Sequence, residues 1–183
     1  AYDGFDEETD EELLERLLFK VRQPATSGNK NHYVIWATNV EGVGGVKVLP
    51  LWNGNGTVKV IITDAKNEIA SEDLIAKVQN YIDEQRSIGA TITVVSPKPL
   101  NIDISLKVTK GSGNIDGIKN AVNDFFKTTA FNSEYVSYAQ VGKVILEKTA
   151  TGVQDYSDLT LNNKAENIAL TDEQLPTVGQ VYL

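Results

Sequence analysis

The 183-residue chain has no cysteine and no methionine, a single histidine and only two tryptophans. Without cysteine there is no disulfide, no thiolate metal ligand and no thiol nucleophile, and such a chain is at home in either redox compartment. His32 alone cannot build a histidine-rich metal site. Its neighbours Lys30, Asn31 and Tyr33 offer no acidic partner, so a structural or surface role is expected of it. No apolar run approaches the roughly 18 residues that a membrane-spanning helix needs, and no signal-peptide pattern is present. With no methionine, Ala1 is not an initiator, and the start reads as the boundary of a piece of a longer protein.

Basic residues are missing from one place in particular. Asp3, Asp6, Glu7, Glu8, Asp10, Glu11, Glu12 and Glu15 fall in the first 15 residues with no Lys or Arg among them, while the remaining 168 residues carry 17 acids and 17 bases. The net charge of -8 is therefore the charge of the lead. A balanced body without a basic cluster argues against a nucleic-acid surface, because tracking phosphates requires clustered cations.

Chemistry-bearing motifs are equally scarce. Gly42, Gly44 and Gly45, and then Gly54 and Gly56, match neither a dinucleotide fingerprint nor a phosphate-binding loop, and turn formation accounts for them. Asp155 and Asp158 lack the spacing of a calcium loop, and Asp64, Asn67 and Glu68 read as a solvated loop. Asn55, Gly56 and Thr57 form a glycosylation sequon that nothing directs to a glycosylating compartment. No catalytic residue, no cofactor site and no metal site is assigned. Trp36 falls on a helical face and reads as core. Trp52, at the loop entry Pro50-Leu51-Trp52-Asn53, is a candidate anchor for a protein contact. The stretch from Leu175 to Leu183 alternates like an edge or docking strand.

The apolar spacing divides the rest. Leu13, Leu14, Leu17, Leu18 and Val21 form one stripe of a helix over 10–22, capped by Thr9 or Asp10 and ended before Pro24. A short helix is expected over 30–38, then strands at 46–49 and 57–63 around the Asn53–Gly56 loop, a helix from the Ser71 cap to Gln85, and a strand at 91–95. Ser96, Pro97, Lys98 and Pro99 make a stiff extended joint. Beyond it come an alternating strand over 102–108, helices around 118–126 and 141–146, short strands at 153–156 and 158–161, and extended pieces near Ile168 and over 178–183. The expected class is α+β in two small domains, 1–97 with the helical lead and 98–183, each a short mixed or antiparallel sheet packed against helices.

Five stretches carry a family resemblance: the lead DEETDEELLERLLFKVRQP; SGNKNHYVIWATNVEGVGGVKVLPLWNGNGTVKVIITD; RSIGATITVVSPKPLNIDISLKV; TGVQDYSDLTLN; and the closing ENIALTDEQLPTVGQVYL. Together, in this order, the chain resembles the C-terminal portion of the baseplate J-like family of contractile-tailed bacteriophages and prophages. Where that family often has proline after the arginine matching Arg86, this chain has Ser87 and Ile88, followed by the matching Gly89 and Ala90.

The resemblance implies a structural part of the tail baseplate wedge, assembled in the bacterial cytoplasm and carried in the virion tail. It brings no enzymatic activity. Its partners would be other baseplate and tail proteins and neighbouring copies of the chain, with no nucleic acid and no membrane. The expected contact residues are Glu8, Glu12, Trp52, Asn53, Pro176, Val178 and Tyr182. Two other readings compete: a tail-associated carbohydrate-binding module using Trp52, Tyr135 and Tyr138 on a common face, and a tail-associated hydrolase built on a cluster of titrating side chains.

Overall fold

The computed structural model describes residues 28–183, together with Thr9, Asp10, Leu13, Leu14, Leu17 and Leu18 of the lead. Those lead positions from Asp10 onward are helical, with the Leu13 amide donating to the Thr9 carbonyl at 2.9 Å. Leu13, Leu14 and Leu17 are exposed. The rest of the helix expected over 10–22 lies outside the described residues.

The first half is a three-stranded sheet covered by two helices. Helix α1 (Lys30–Thr38) starts at Asn29, whose side chain accepts from the His32 amide, and it buries Tyr33, Trp36 and Ala37. Strands β1 (Val43–Pro50) and β2 (Thr57–Asp64) form an antiparallel hairpin with a register shift between Val43 and Val46. Helix α2 (Glu72–Gln85) crosses to β3 (Thr91–Val95), which pairs parallel to β2, giving the order β1-β2-β3. The Leu74, Val78 and Ile82 face of α2 meets Val60 and Ile62 of β2 and Ile92 and Val94 of β3 in one core.

Ser71 caps α2 by accepting from the Leu74 amide at 3.3 Å, with Glu72 and Asp73 in the first turn. Ser71→Ala is expected to cost about 1 kcal/mol, the usual worth of such a cap. A urea titration would read this as a lower midpoint at unchanged slope.

The second half is built on the 14-residue strand β4 (Lys98–Gly111). Helix α3 (Ile115–Thr128) follows with Asn114 as its cap. Next come the two-residue β5 (Tyr135–Val136), α4 (Tyr138–Glu147) capped by Ser137, and a 3-10 turn over Thr149–Thr151. Strands β6 (Val153–Leu161), β7 (Ile168–Ala169) and β8 (Gln174–Tyr182) complete the chain. The sheet order is β6-β4-β8, antiparallel to β6 and parallel to β8, while β5 and β7 pair separately. Ile102, Ile104 and Leu106 of β4 alternate inward onto Ile118, Val122 and Phe126 of α3 and Val141 and Ile145 of α4. This is an α+β fold.

Two expectations are corrected. The strands read separately at 153–156 and 158–161 are one strand: Asp158 takes a left-handed φ of 55°, and the pairing jumps from Lys107↔Ser157 to Ser105↔Thr160. The extra residue is absorbed as a bulge without ending the strand. The joint at 96–99 is also shorter than its prolines imply, because Lys98 and Pro99 already pair with Gln174 and Leu175.

Candidate interface surfaces

The inner strand β2 is buried on both faces. Val58, Val60 and Ile62 face the helices of the first half, so by the two-residue period Lys59, Ile61 and Thr63 face the other way. All three are buried nonetheless, and at Lys59 the second half supplies the partner. The Lys59 ammonium lies 2.5 Å from Glu173 Oε1 and 3.8 Å from the centre of the Trp52 ring. Glu173 Oε2 also meets Lys98 at 3.1 Å, and the adjacent Asp172 pairs with Lys47 at 2.7 Å. At the far end of β2, Lys127 of α3 pairs with Glu68 at 2.6 Å, and the Asn67 side-chain amide donates to the Lys127 carbonyl. Cationic and anionic side chains from both halves thus stitch one seam.

The shifted ionisations follow from this seam and from burial. Hydrogen bonds from Lys59 and then Lys98 hold the Glu173 carboxyl below the usual range, and Lys47 does the same for Asp172. The hydrogen bond to Glu68 raises Lys127. Burial raises the Tyr33 and Tyr156 hydroxyls. Each perturbed charged group is one end of an ion pair, the structural way to perturb an ionisation, and none stands beside a nucleophile.

The sign of the pH effect is fixed by the carboxylates. Their contribution is present above the unfolded-state values near pH 4 and is lost as pH falls through the lower folded-state values. Lys127 acts in reverse, its contribution vanishing as pH rises past the ordinary lysine range of about 10.4. Thermal melts are therefore expected to be level through neutral pH and to drop below about pH 4. The Glu173→Gln variant should show a shallower acid drop.

The expected contact residues separate. Trp52 is 41% exposed at the tip of the β1–β2 hairpin, one ring face occupied by Lys59. Asn53 is exposed beside it, its amide donating to Thr57 Oγ1 at 3.0 Å. Tyr182 is exposed near the end of β8, and Val178 is half-buried against β4. Pro176 is buried and lines two clefts between α3 and its surroundings. Glu8 and Glu12 lie outside the described residues.

His32 stacks on Trp36 with centroids 4.0 Å apart and accepts from the Gly28 amide through Nδ1, a structural role. Tyr138 is half-buried and its hydroxyl donates to the Leu159 carbonyl at 2.9 Å, which removes it from a shared sugar platform with Trp52 and Tyr135. Asp155 and Asp158 accept from their neighbours Tyr156 and Ser157. Among the described residues, no three His, Asp or Glu side chains gather as metal ligands would. Lys59 and Glu173 escaped the sequence reading. The available signal was a lysine inside the apolar run Val58-Lys59-Val60-Ile61-Ile62, since a buried cation requires a partner.

Both halves match one family. Residues 25–96 fit the Baseplate J-like central domain, and residues 100–183 fit the Baseplate J-like protein C-terminal domain. The chain belongs to the baseplate J-like family. Among relatives, it is 40% identical to the phage-like element PBSX protein XkdT of Bacillus subtilis (strain 168), over 98% of this chain and 55% of that protein. It is 29% identical to the baseplate protein gp47 of Escherichia phage Mu, over 97% of this chain and 52% of that protein. The chain thus spans about half the length of the curated relatives it matches. Among solved structures, it superposes with a TM-score of 0.60 and 16% identity on a chain of the anti-feeding prophage (AFP) baseplate, determined by cryo-EM and 6-fold symmetrised. That match covers 94% of this chain and 42% of the other, and is a likeness of fold.

Proposed function

We propose that the chain is a structural component of a phage or prophage tail baseplate, acting as part of a wedge through protein–protein contacts and not through catalysis. The observation that carries this reading is the order of the two family matches, central then C-terminal, along nearly the whole chain. Two relatives bear on it by name, the Mu baseplate protein and the PBSX phage-like element protein. In this reading the chain divides into units over 1–97 and 98–183, assembles in the bacterial cytoplasm and ends in the virion tail. Other baseplate and tail proteins and neighbouring copies are its partners. The tip at Trp52 and Asn53, the positions Pro176, Val178 and Tyr182 of β8, and the acidic lead with Glu8 and Glu12 are its contact surfaces.

The seam fits such a role, since two small units locked by ion pairs form a stiff block that can hold neighbours at fixed spacing. The test is made in a host carrying the element. An epitope-tagged copy should co-purify with induced tail particles at constant stoichiometry, and deletion should yield tails without baseplates. Complete baseplates formed in the deletion strain would reject the reading.

A further inference from the structure

Two asparagines stand directly before a glycine, and both lie in one turn. The loop between β1 and β2 reads Trp52-Asn53-Gly54-Asn55-Gly56-Thr57, whereas every other asparagine of the chain is followed by a residue with a side chain. The backbone nitrogen after an asparagine is tethered within reach of that residue's own side-chain carbonyl carbon, and a glycine there leaves the approach free of a Cβ. Such pairs are the weak points that make asparagine thermolabile.

The fold treats the two pairs differently. The Gly54 amide donates to the Leu51 carbonyl at 3.2 Å, and the Asn53 amide donates to Thr57 Oγ1 at 3.0 Å, so the nitrogen that would attack Asn53 is fastened. The nitrogen that would attack Asn55 is not. Among the described residues, neither the Gly56 amide nor the Asn55 carbonyl has a hydrogen-bond partner, and the Asn55 side chain has none either. The peptides on both sides of this loose one are pinned. The Gly54 carbonyl accepts from the Thr57 amide at 3.3 Å and from Thr57 Oγ1 at 2.7 Å, and the Gly56 carbonyl accepts from the Thr91 amide at 2.7 Å. The Asn55–Gly56 peptide therefore has freedom to turn toward the Asn55 side chain while the hairpin stays closed. Both residues are exposed, so base and water reach them.

We infer that Asn55 is a site of spontaneous deamidation, a covalent modification that the fold directs to this asparagine ahead of Asn53. The Gly56 nitrogen gives up its proton to base and bonds to Asn55 Cγ, and the side-chain nitrogen leaves as ammonia, closing a succinimide ring. Water then adds to one of the two ring carbonyls. Opening at Cγ leaves aspartate, and opening at the backbone carbonyl leaves isoaspartate. The sum is one water consumed and one ammonia released, with no oxidant, reductant or enzyme.

Each event adds a negative charge to a chain already at -8. The carboxylate enters a turn where the Lys59 ammonium lies over the Trp52 ring and where, in the next loop, Arg86 donates to the Ala90 carbonyl. Isoaspartate also routes the main chain through Cβ and lengthens the turn that Leu51 closes by donating to the Thr57 carbonyl. The Trp52 tip thus changes with the age of the molecule. This chemistry goes beyond the baseplate reading and does not depend on it.

The purified chain, aged in mildly alkaline buffer, provides the test. Trypsin releases residues 48–59 as one peptide bounded by Lys47 and Lys59, and fragmentation of that peptide by mass spectrometry locates the acid and separates aspartate from isoaspartate. Asn55 should convert about fivefold faster than Asn53, the factor set by one hydrogen bond that must first break. The rate should rise with hydroxide concentration. In guanidinium, where Leu51 no longer holds Gly54, the two asparagines should convert at comparable rates. Asn55→Gln, whose longer side chain disfavours ring closure, should lose the product at this position and leave Asn53 at its native rate. A native chain that stays unmodified while the synthetic peptide 48–59 converts overturns the inference, as does Asn53 reacting as fast as Asn55 in the folded chain. Either result leaves the baseplate reading standing, and chains that deamidate at Asn55 but are missing from particles lose only that reading.

Discussion

Glu173→Gln is expected to destabilise the chain by about 2 kcal/mol, as a lower urea midpoint at unchanged slope. The lysine decides the size of the effect. The Lys59 side chain is only 10% exposed, so its charge, once unpaired, is poorly reached by water. Removing one partner of a fully buried pair costs about 3–5 kcal/mol. The figure is smaller here because Glu173 is partly open and the Trp52 ring still faces the ammonium. Lys98 shares the same carboxylate but is 76% exposed, and Lys98→Gln should change stability by less than about 0.5 kcal/mol. Lys59→Met, which removes the buried charge and keeps the stem against Trp52, should lie within about 1 kcal/mol of the wild type. Equal losses in Glu173→Gln and Lys98→Gln would show that burial of Lys59 is not what gives the seam its strength.

Gly117→Ala sets two rules against each other. Alanine gains up to about 1 kcal/mol over glycine inside a helix, and Gly117 occupies the first turn of α3, where Asn114 accepts from its amide. However, a Cβ at this position runs into the carbonyl of Ala150 and lies 3.1 Å from the Thr151 Cα. Those are backbone atoms of the 3-10 turn, and they are tied down. Thr151 Oγ1 donates to the Ile145 carbonyl at 2.7 Å, and the Asn114 amide donates to the Thr151 carbonyl at 2.7 Å. Forcing packed backbone apart costs about 3 kcal/mol, so a net loss of about 2 kcal/mol is expected, against the sign that helix propensity alone gives. Calorimetry should show the drop in melting temperature, and an unchanged or higher value would mean that the turn yields freely.

Much of this fold is local enough to read from residue order. Helices α1 and α2 and strand β3 occupy the spans their patterns predict, because a cap residue, a three-to-four spacing or a β-branched run acts within a few residues. Strand β4 escaped at its start, and its pairing explains why. From Lys98 to Asn101 it pairs only with β8, and β6 joins at Ile104. Pro99 therefore sits where one side of the strand is unpaired, a position that tolerates the missing amide donor. The β6 bulge escaped because a left-handed aspartate inside a strand has the same sequence signature as a turn. The seam was the least legible part: Lys59 and Glu173 are 114 residues apart, and no periodicity couples two positions at that distance. The Trp52 tip was legible as an aromatic in a loop.

The length of β4 also has a mechanical meaning. Its pairing with β8 is parallel, running from Lys98↔Gln174 to Ser105↔Tyr182. A pull that draws Lys98 back toward the first half and Tyr182 outward acts along both strands in opposite senses. It loads the hydrogen bonds between them together, in shear, where an antiparallel hairpin pulled at its open end would unzip one rung at a time. The second half is thus wired to carry tension from its entry point to its last strand.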